Sequence, residues 1–447
     1  MKINHLQSGA LYLAIFLFSL ILFSINDQYN LQLLDSIGFI VTSFWLLSLF
    51  ILQLNGINKA SSTLYFGFFI VLGLFHLGIP LSLFFNYEGD YFADYFNRWF
   101  YSIYTMESLY AVYIFLLAYL LSFFYKPTNN FNITKIRIFE IKACYLKTFL
   151  CLYIIIVTSW IFIVKFLYNI DNYAIYQNNS QVPILNFVFV YLNQIIGFLL
   201  VILCTSKVHA KIAILIFLIW SLIAFPLGLR GEVIFPLVIA LPLLVINNIV
   251  KVTYTKAIVG IVTILTLSSL VFIYRGDSDS NKEIDVSPLA TIAELGGSLR
   301  PVHEVIKWTD TQDMNYQYGA TYYAPFERAF LKFFPIKERV PATEDMRLMN
   351  VAIAEKAGPY GFSIIAESKI NFSWIGVFFV GLFSGITLRI LDTKIRLESY
   401  SLLTLSIVFA LFFHIRQSFV GSFGVLIVNL AFSLTVICLV NLRKKAF

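Results

Sequence analysis

Three arginines stand where apolar runs end. Arg230 lies in Pro226-Leu227-Gly228-Leu229-Arg230-Gly231-Glu232, Arg275 in Tyr274-Arg275-Gly276-Asp277, and Arg416 in His414-Ile415-Arg416-Gln417-Ser418. Each sits beside glycine or a polar turn at the same depth. A guanidinium presents a planar fork of donors that matches phosphate oxygens. Three of them at one edge of a membrane suit an anion site, and the diphosphate of a lipid sits at that depth. The plain alternative is three independent interface anchors, with Arg230 paired to Glu232.

A proton acceptor is the other requirement of most group-transfer chemistry. Glu367 stands in Gly361-Phe362-Ser363-Ile364-Ile365-Ala366-Glu367, four residues before Asn371 at the start of an apolar run. A carboxylate there has its proton affinity raised unless it is paired, which suits a general base; pairing to Lys369 or an arginine is the alternative. Glu294 is a second candidate, close to Arg300, His303 and Glu304. On a helix Arg300 shares a face with both His303 and Glu304, although Gly296-Gly297 and Pro301 can interrupt it. His303 and His414 are further candidate bases. His76, in mid-span, reads more simply as a hydrogen bond to a neighbouring helix.

The elements that must position these groups are membrane spans. The chain has 447 residues, 59% hydrophobic and 13% charged, about half the charge of a soluble domain. Backbone groups in lipid must bond internally, so the fold class is all-α, a polytopic membrane protein. At about 20 residues per span, twelve are expected: 8–25, 35–54, 62–84, 107–125, 147–167, 184–204, 212–229, 233–249, 257–274, 371–391, 400–415 and 423–441. The 212–249 stretch has an alternative as a re-entrant hairpin plus one span. The first run has no small-residue cleavage site after it and reads as a helix, not a leader.

Positive charge alternates between connections. Lys59, then Lys126 to Lys147, then Lys207 and Lys211, Lys251 and Lys256, Lys394 and Arg396, and Arg443 to Lys445 mark the inner side. That places both termini in the cytoplasm. The net charge of +7 thus belongs to span ends, and nucleic acid is not an expected partner. The organisation read from this is spans one to nine over 1–274, a large outer loop over 275–370, and the last three spans over 371–447. Cys144, Cys151, Cys204 and Cys438 all avoid the loop, which therefore has no disulfide. Short helices are expected in it: one from Ser287-Pro288, an interfacial one from Pro325 to Phe334, and one capped by Thr343 and ending at Gly358-Pro359. No Walker motif, HExxH or Cys/His cluster is present, so neither a metal nor another cofactor is expected.

Several motifs in the loop resemble the O-antigen polymerase (Wzy) family of oligosaccharide repeat-unit polymerases. They are Glu294-x-Gly296 with Arg300-Pro301, Tyr318-Gly319-x-Thr321-Tyr322, Pro335, and Gly361 to Glu367 with Asn371-Phe372 and Gly376. Lys369 and Ser373 depart from the pattern, which leads one to expect an aromatic or aliphatic residue and a glycine. The resemblance implies a GT-C-like glycosyltransferase of the bacterial inner membrane, working at the periplasmic face on undecaprenyl-diphosphate-linked oligosaccharides. The growing glycan moves to the incoming repeat unit. A chain-length regulator and a flippase of the same pathway are implied partners, besides membrane lipids. Charge and depth, not the resemblance, then assign the roles: Arg230, Arg275, Arg300 and Arg416 are expected to hold the diphosphate, and Glu367, Glu294, His303 or His414 to take the proton. Tyr318, Tyr322 and Asn371 contact the glycan. The rivals are an O-antigen ligase and a lipid-linked-oligosaccharide flippase; nearly charge-free spans and one large loop argue against the flippase.

Overall fold

The structure, a computed structural model, describes residues 31–56, 63–85, 99–125, 141, 143–170, 182, 185, 188–250, 288–330, 340–358, 360–396 and 401–445. Among these the chain is helical and forms no β-strand. Seven helices are long and apolar enough to cross a membrane. The expected spans from 35–54 to 233–249, and from 371–391 to 423–441, each coincide with a helix. Those at 8–25 and 257–274 lie outside the described residues, as do Arg275 and Ser287. The 212–249 stretch forms two separate helices.

The chain divides into two compact units. The first contains α1 (Leu31–Gly56), α2 (Thr63–Phe84), α3 (Ile103–Leu121) and the helices of the expected loop from Ile292 on. Aromatic residues lock α2 to α3. Tyr65 donates to the Tyr119 carbonyl at 2.6 Å and Tyr119 to the Tyr65 carbonyl at 2.8 Å. Their rings stack at 4.4 Å, so two phenols satisfy each other inside an apolar bundle, where an unpaired hydroxyl would be costly. Trp45 of α1 donates to the Phe69 carbonyl at 3.1 Å.

The second unit contains α4 (Ala143–Ile161), α5 (Asn193–Leu203), α6 (Lys207–Ala224) and α7 (Arg230–Ile246). Trp160 and Trp220 meet at 5.6 Å between α4 and α6. Tyr145 donates to the Asn441 side chain at 2.9 Å.

The loop helices begin with α8 (Pro288–Leu295), whose proline opens the helix as expected. A 3-10 turn, Gly296–Ser298, leads into α9 (Leu299–Asp310). The glycine pair therefore tightens the helix without ending it, and Pro301 fits the first turn of α9, where no backbone N–H is needed. Gly296 has a steric reason: its Cα face lies on Gly78 and Ile79 of α2, and a Cβ on either glycine would collide with the other's backbone.

Helix α10 (Ala320–Phe330) starts five residues before the expected Pro325. Tyr318 and Gly319 both have positive φ, turning the chain into the helix ahead of the proline. Helix α11 (Met349–Lys356) starts later than Glu344. Asp345 instead accepts from the Arg347 backbone N–H and binds the Arg328 and Arg347 guanidiniums, which hold 340–348 as a turn.

Helix α12 (Ile364–Arg396) begins before the expected span and bends at Phe372 and Ser373. Its short arm, 364–371, carries Glu367 and Asn371; the long arm is the span. Helices α13 (Leu402–His414) and α14 (Phe419–Lys445) complete the chain.

Candidate functional site

Ser363 starts the short arm. Its hydroxyl oxygen accepts from the Ile365 N–H at 3.1 Å, the N-cap interaction that helices favour. His76 of α2 holds that serine. Its Nδ1 lies 2.9 Å from the Leu72 carbonyl and its Nε2 2.7 Å from Ser363 Oγ. A carbonyl only accepts, so Nδ1 carries the proton and Nε2 accepts from the serine. The mid-span histidine thus bonds a neighbouring helix.

One helical turn on, Glu367 is 1% exposed and its Oε2 lies 3.2 Å from His414 Nε2. The same oxygen accepts from the backbone N–H of Phe419, the first residue of α14. A helix N-terminus favours a carboxylate. The expected pairing to Lys369 or an arginine is replaced by this one: Lys369, two residues on, points to another side of the arm. His414 Nδ1 makes no hydrogen bond among the described residues. Glu367 therefore fixes the imidazole by one nitrogen and leaves the other available to abstract a proton.

Asn371 ties this arm to α10. It donates to Thr321 Oγ1 at 2.6 Å and to the Glu367 carbonyl at 2.7 Å, and its Oδ1 accepts from the Gly319 N–H at 2.9 Å. Tyr322 lies against Phe419 at 5.2 Å and Phe372 at 6.3 Å. Its hydroxyl is buried and has no hydrogen-bond partner among the described residues. Burial, with the Glu367 charge adding to it, raises its proton affinity well above the phenol value, so Tyr322 is a hydrogen-bond donor there. Tyr318 is 80% exposed on the preceding turn.

Two arginines flank the strand of chain before the arm. Arg300 of α9 donates to the Tyr360 hydroxyl at 2.6 Å and lies over its ring at 4.2 Å. Gly361 packs on the Arg416 carbonyl, 2.7 Å from where a Cβ would be, and Arg416 lies over Phe75 at 5.5 Å. Arg300 also meets Glu304 at 3.5 Å. Burial pushes the Glu304 carboxyl up, but His303, Arg300 and Lys307 outweigh it and hold it below the usual glutamate value.

The candidates of the sequence thus separate. Glu367, His414, Asn371 and Tyr322 come together, with Arg300 and Arg416 at residues 360–361. His303 is boxed between Trp99 and Tyr104 at 5.4 and 5.7 Å and bonds Ser102 at 3.0 Å. Glu294 lies in the last turn of α8, half-buried and two residues before Gly296. Arg230 opens α7 in the second unit and is buried there. Two participants had not been singled out. Tyr360 was hidden in Gly358-Pro359-Tyr360-Gly361, which reads as a helix stop. The Phe419 N–H is a backbone donor, which no side-chain pattern announces.

The family described as O-antigen polysaccharide polymerase Wzy matches residues 10–445. The chain belongs to the Wzy family. It is accordingly a multi-pass membrane protein of a family of polysaccharide polymerases. A Wzy-family match this long spans both the loop motifs and the apolar helices. Protein CapE of Staphylococcus aureus is 27% identical over 176 residues, which is 39% of this chain and 39% of that protein. No solved structure matches this Wzy-family chain.

Proposed function

We propose that the chain polymerises undecaprenyl-diphosphate-linked oligosaccharide repeat units at the periplasmic face of the bacterial inner membrane. The termini then lie in the cytoplasm. A hydroxyl of the incoming unit attacks the anomeric carbon at the reducing end of the growing glycan. The new glycosidic C–O bond forms as the bond to the diphosphate oxygen breaks, and the lipid diphosphate leaves with the electron pair. His414 Nδ1 takes the hydroxyl proton, while Glu367 holds the ring and stabilises the imidazolium that forms. Arg416 and Arg300 stabilise charge developing on the diphosphate, with Arg230 and Arg275 as further candidates. Tyr322 and Asn371 orient the glycan from α10 and the arm.

The observation that carries this reading is the buried Glu367–His414 pair set on the first N–H of α14. The test uses purified protein in nanodiscs with lipid-linked repeat units. His414→Ala should bind the substrate and leave it unpolymerised. A wild-type polymer ladder from His414→Ala removes the histidine from the reaction.

A further inference from the structure

Lys369 is 3% exposed, yet among the described residues the only hydrogen bond of its ammonium runs to the Tyr316 hydroxyl at 3.4 Å. That is long for the type. Among the described residues no carboxylate lies within 4 Å of it, and its other contacts are the rings of Trp374 at 4.1 Å and Tyr316 at 5.7 Å. A buried ammonium is costly unless its N–H groups are satisfied, and here they largely are not.

Ser373 adds an independent observation. Its backbone, φ 56° and ψ −150°, lies where glycine is at ease and other residues are strained. In that conformation its hydroxyl donates to Tyr316 at 3.4 Å, again a long bond. Lys369 and Ser373 both converge on one phenol. Burial raises the proton affinity of Tyr316, but Ser373, Lys369 and Thr309 outweigh it and bring it below the usual tyrosine value, so the hydroxyl is a strong donor.

Charge near this cluster is mixed. Glu107 lies in the field of the Lys369 charge and of Asp310. One ammonium together with two carboxylates is a poor match for a multiply charged anion. It suits a neutral ligand whose hydroxyls both donate and accept, and the rings of Trp374, Tyr316 and Tyr318 offer flat faces to it; Tyr316 and Tyr318 are 6.5 Å apart.

We propose that Lys369, Tyr316, Ser373 and Trp374 form a second glycan subsite that takes an uncharged pyranose of the repeat unit. It lies on another face of the short arm from Glu367. The inference deepens the polymerase reading and rests on it for the source of the sugar.

The test is saturation-transfer NMR on the full chain in nanodiscs. The probes are methyl glucoside, methyl galactoside and methyl N-acetylglucosaminide, set against methyl glucuronide and inorganic diphosphate. An uncharged pyranoside should give a signal that falls about fivefold in Lys369→Met, in Tyr316→Phe and in Ser373→Gly, the scale of one hydrogen bond. Ser373→Gly keeps the backbone and guards against misfolding. The signal should persist in Glu367→Gln. Saturation of no uncharged pyranoside, a response to the charged probes alone, or a full signal in Ser373→Gly and Tyr316→Phe overturns the subsite. Polymerisation of lipid-linked units is followed in parallel. No polymer from the wild type sinks the polymerase reading, and the pyranoside signal decides the subsite separately.

Discussion

Replacing Glu367 by glutamine keeps the shape of the site and removes its negative charge. The carboxylate accepts both from His414 Nε2, at 3.2 Å, and from the Phe419 N–H. Both donors meet the one oxygen Oε2, so the glutamine oxygen can take its place and keep the ring orientation; what is lost is the negative charge that stabilises the imidazolium formed when Nδ1 takes the proton. General-base catalysis supplies about 10²–10⁴-fold, and the loss should fall within that range, or roughly 3–5.5 kcal/mol in the barrier. One lost charge-assisted hydrogen bond should lower stability by about 1.5–3 kcal/mol. The assay is single-turnover elongation of lipid-linked units in nanodiscs, with binding measured separately. Glu367→Gln should bind normally and elongate slowly. The double variant with His414→Ala should be little worse than either single one, because the two residues act as a unit. A Glu367→Gln rate within a few-fold of wild type, or losses that multiply in the double variant, would falsify the dyad.

Arg416→Ala and Arg300→Ala should each remove long-chain polymer at normal protein level, read on a gel of surface polysaccharide; a normal ladder in both rules out their part in holding the diphosphate. Asp345 is held below its ordinary value although burial opposes this, because Arg347 and Arg328 bind it. Its contribution is therefore full above about pH 4, the unfolded carboxylate range, and fades as pH falls through the lower folded value. Asp345→Asn should lower the melting temperature at pH 7, and the gap to wild type should narrow in strong acid. Gly78→Leu should prevent accumulation of folded protein, since the side chain has no room at Gly296; size-exclusion chromatography of the detergent extract reads this. Ser373→Gly should raise thermal stability, as relief of about 1–3 kcal/mol of backbone strain, in a melting experiment.

The helices were legible because apolar length and the positions of Lys and Arg follow from lipid chemistry alone. The motif glycines were visible too, but their reason was not: Gly296 matters for Gly78, more than two hundred residues away in the chain. Glu367 stood out as a carboxylate at the edge of an apolar run, whereas its partner did not. Lys369 was the nearer choice in sequence, but two residues on a helix turn by about 200°. His414 reaches it because α13 ends where α14 begins. The loop helices were misplaced by a few residues where side chains compete with the backbone: Asp345 holds a turn in place of a helix start, and the turn at Tyr318-Gly319 starts α10 ahead of Pro325.

The bend at Phe372–Ser373 leaves a two-turn arm with Glu367 on one face and Lys369 on another. A helix with its side chains is about 10–12 Å thick, wider than one pyranose ring. A single glycan that engages both faces must therefore pass around the arm, and only a chain of several sugars is long enough. With the base on one face and the proposed subsite on the other, the arm would work as a ruler: a complete repeat unit would reach both, and a lone sugar, held on one face only, would stay out of reach of the base.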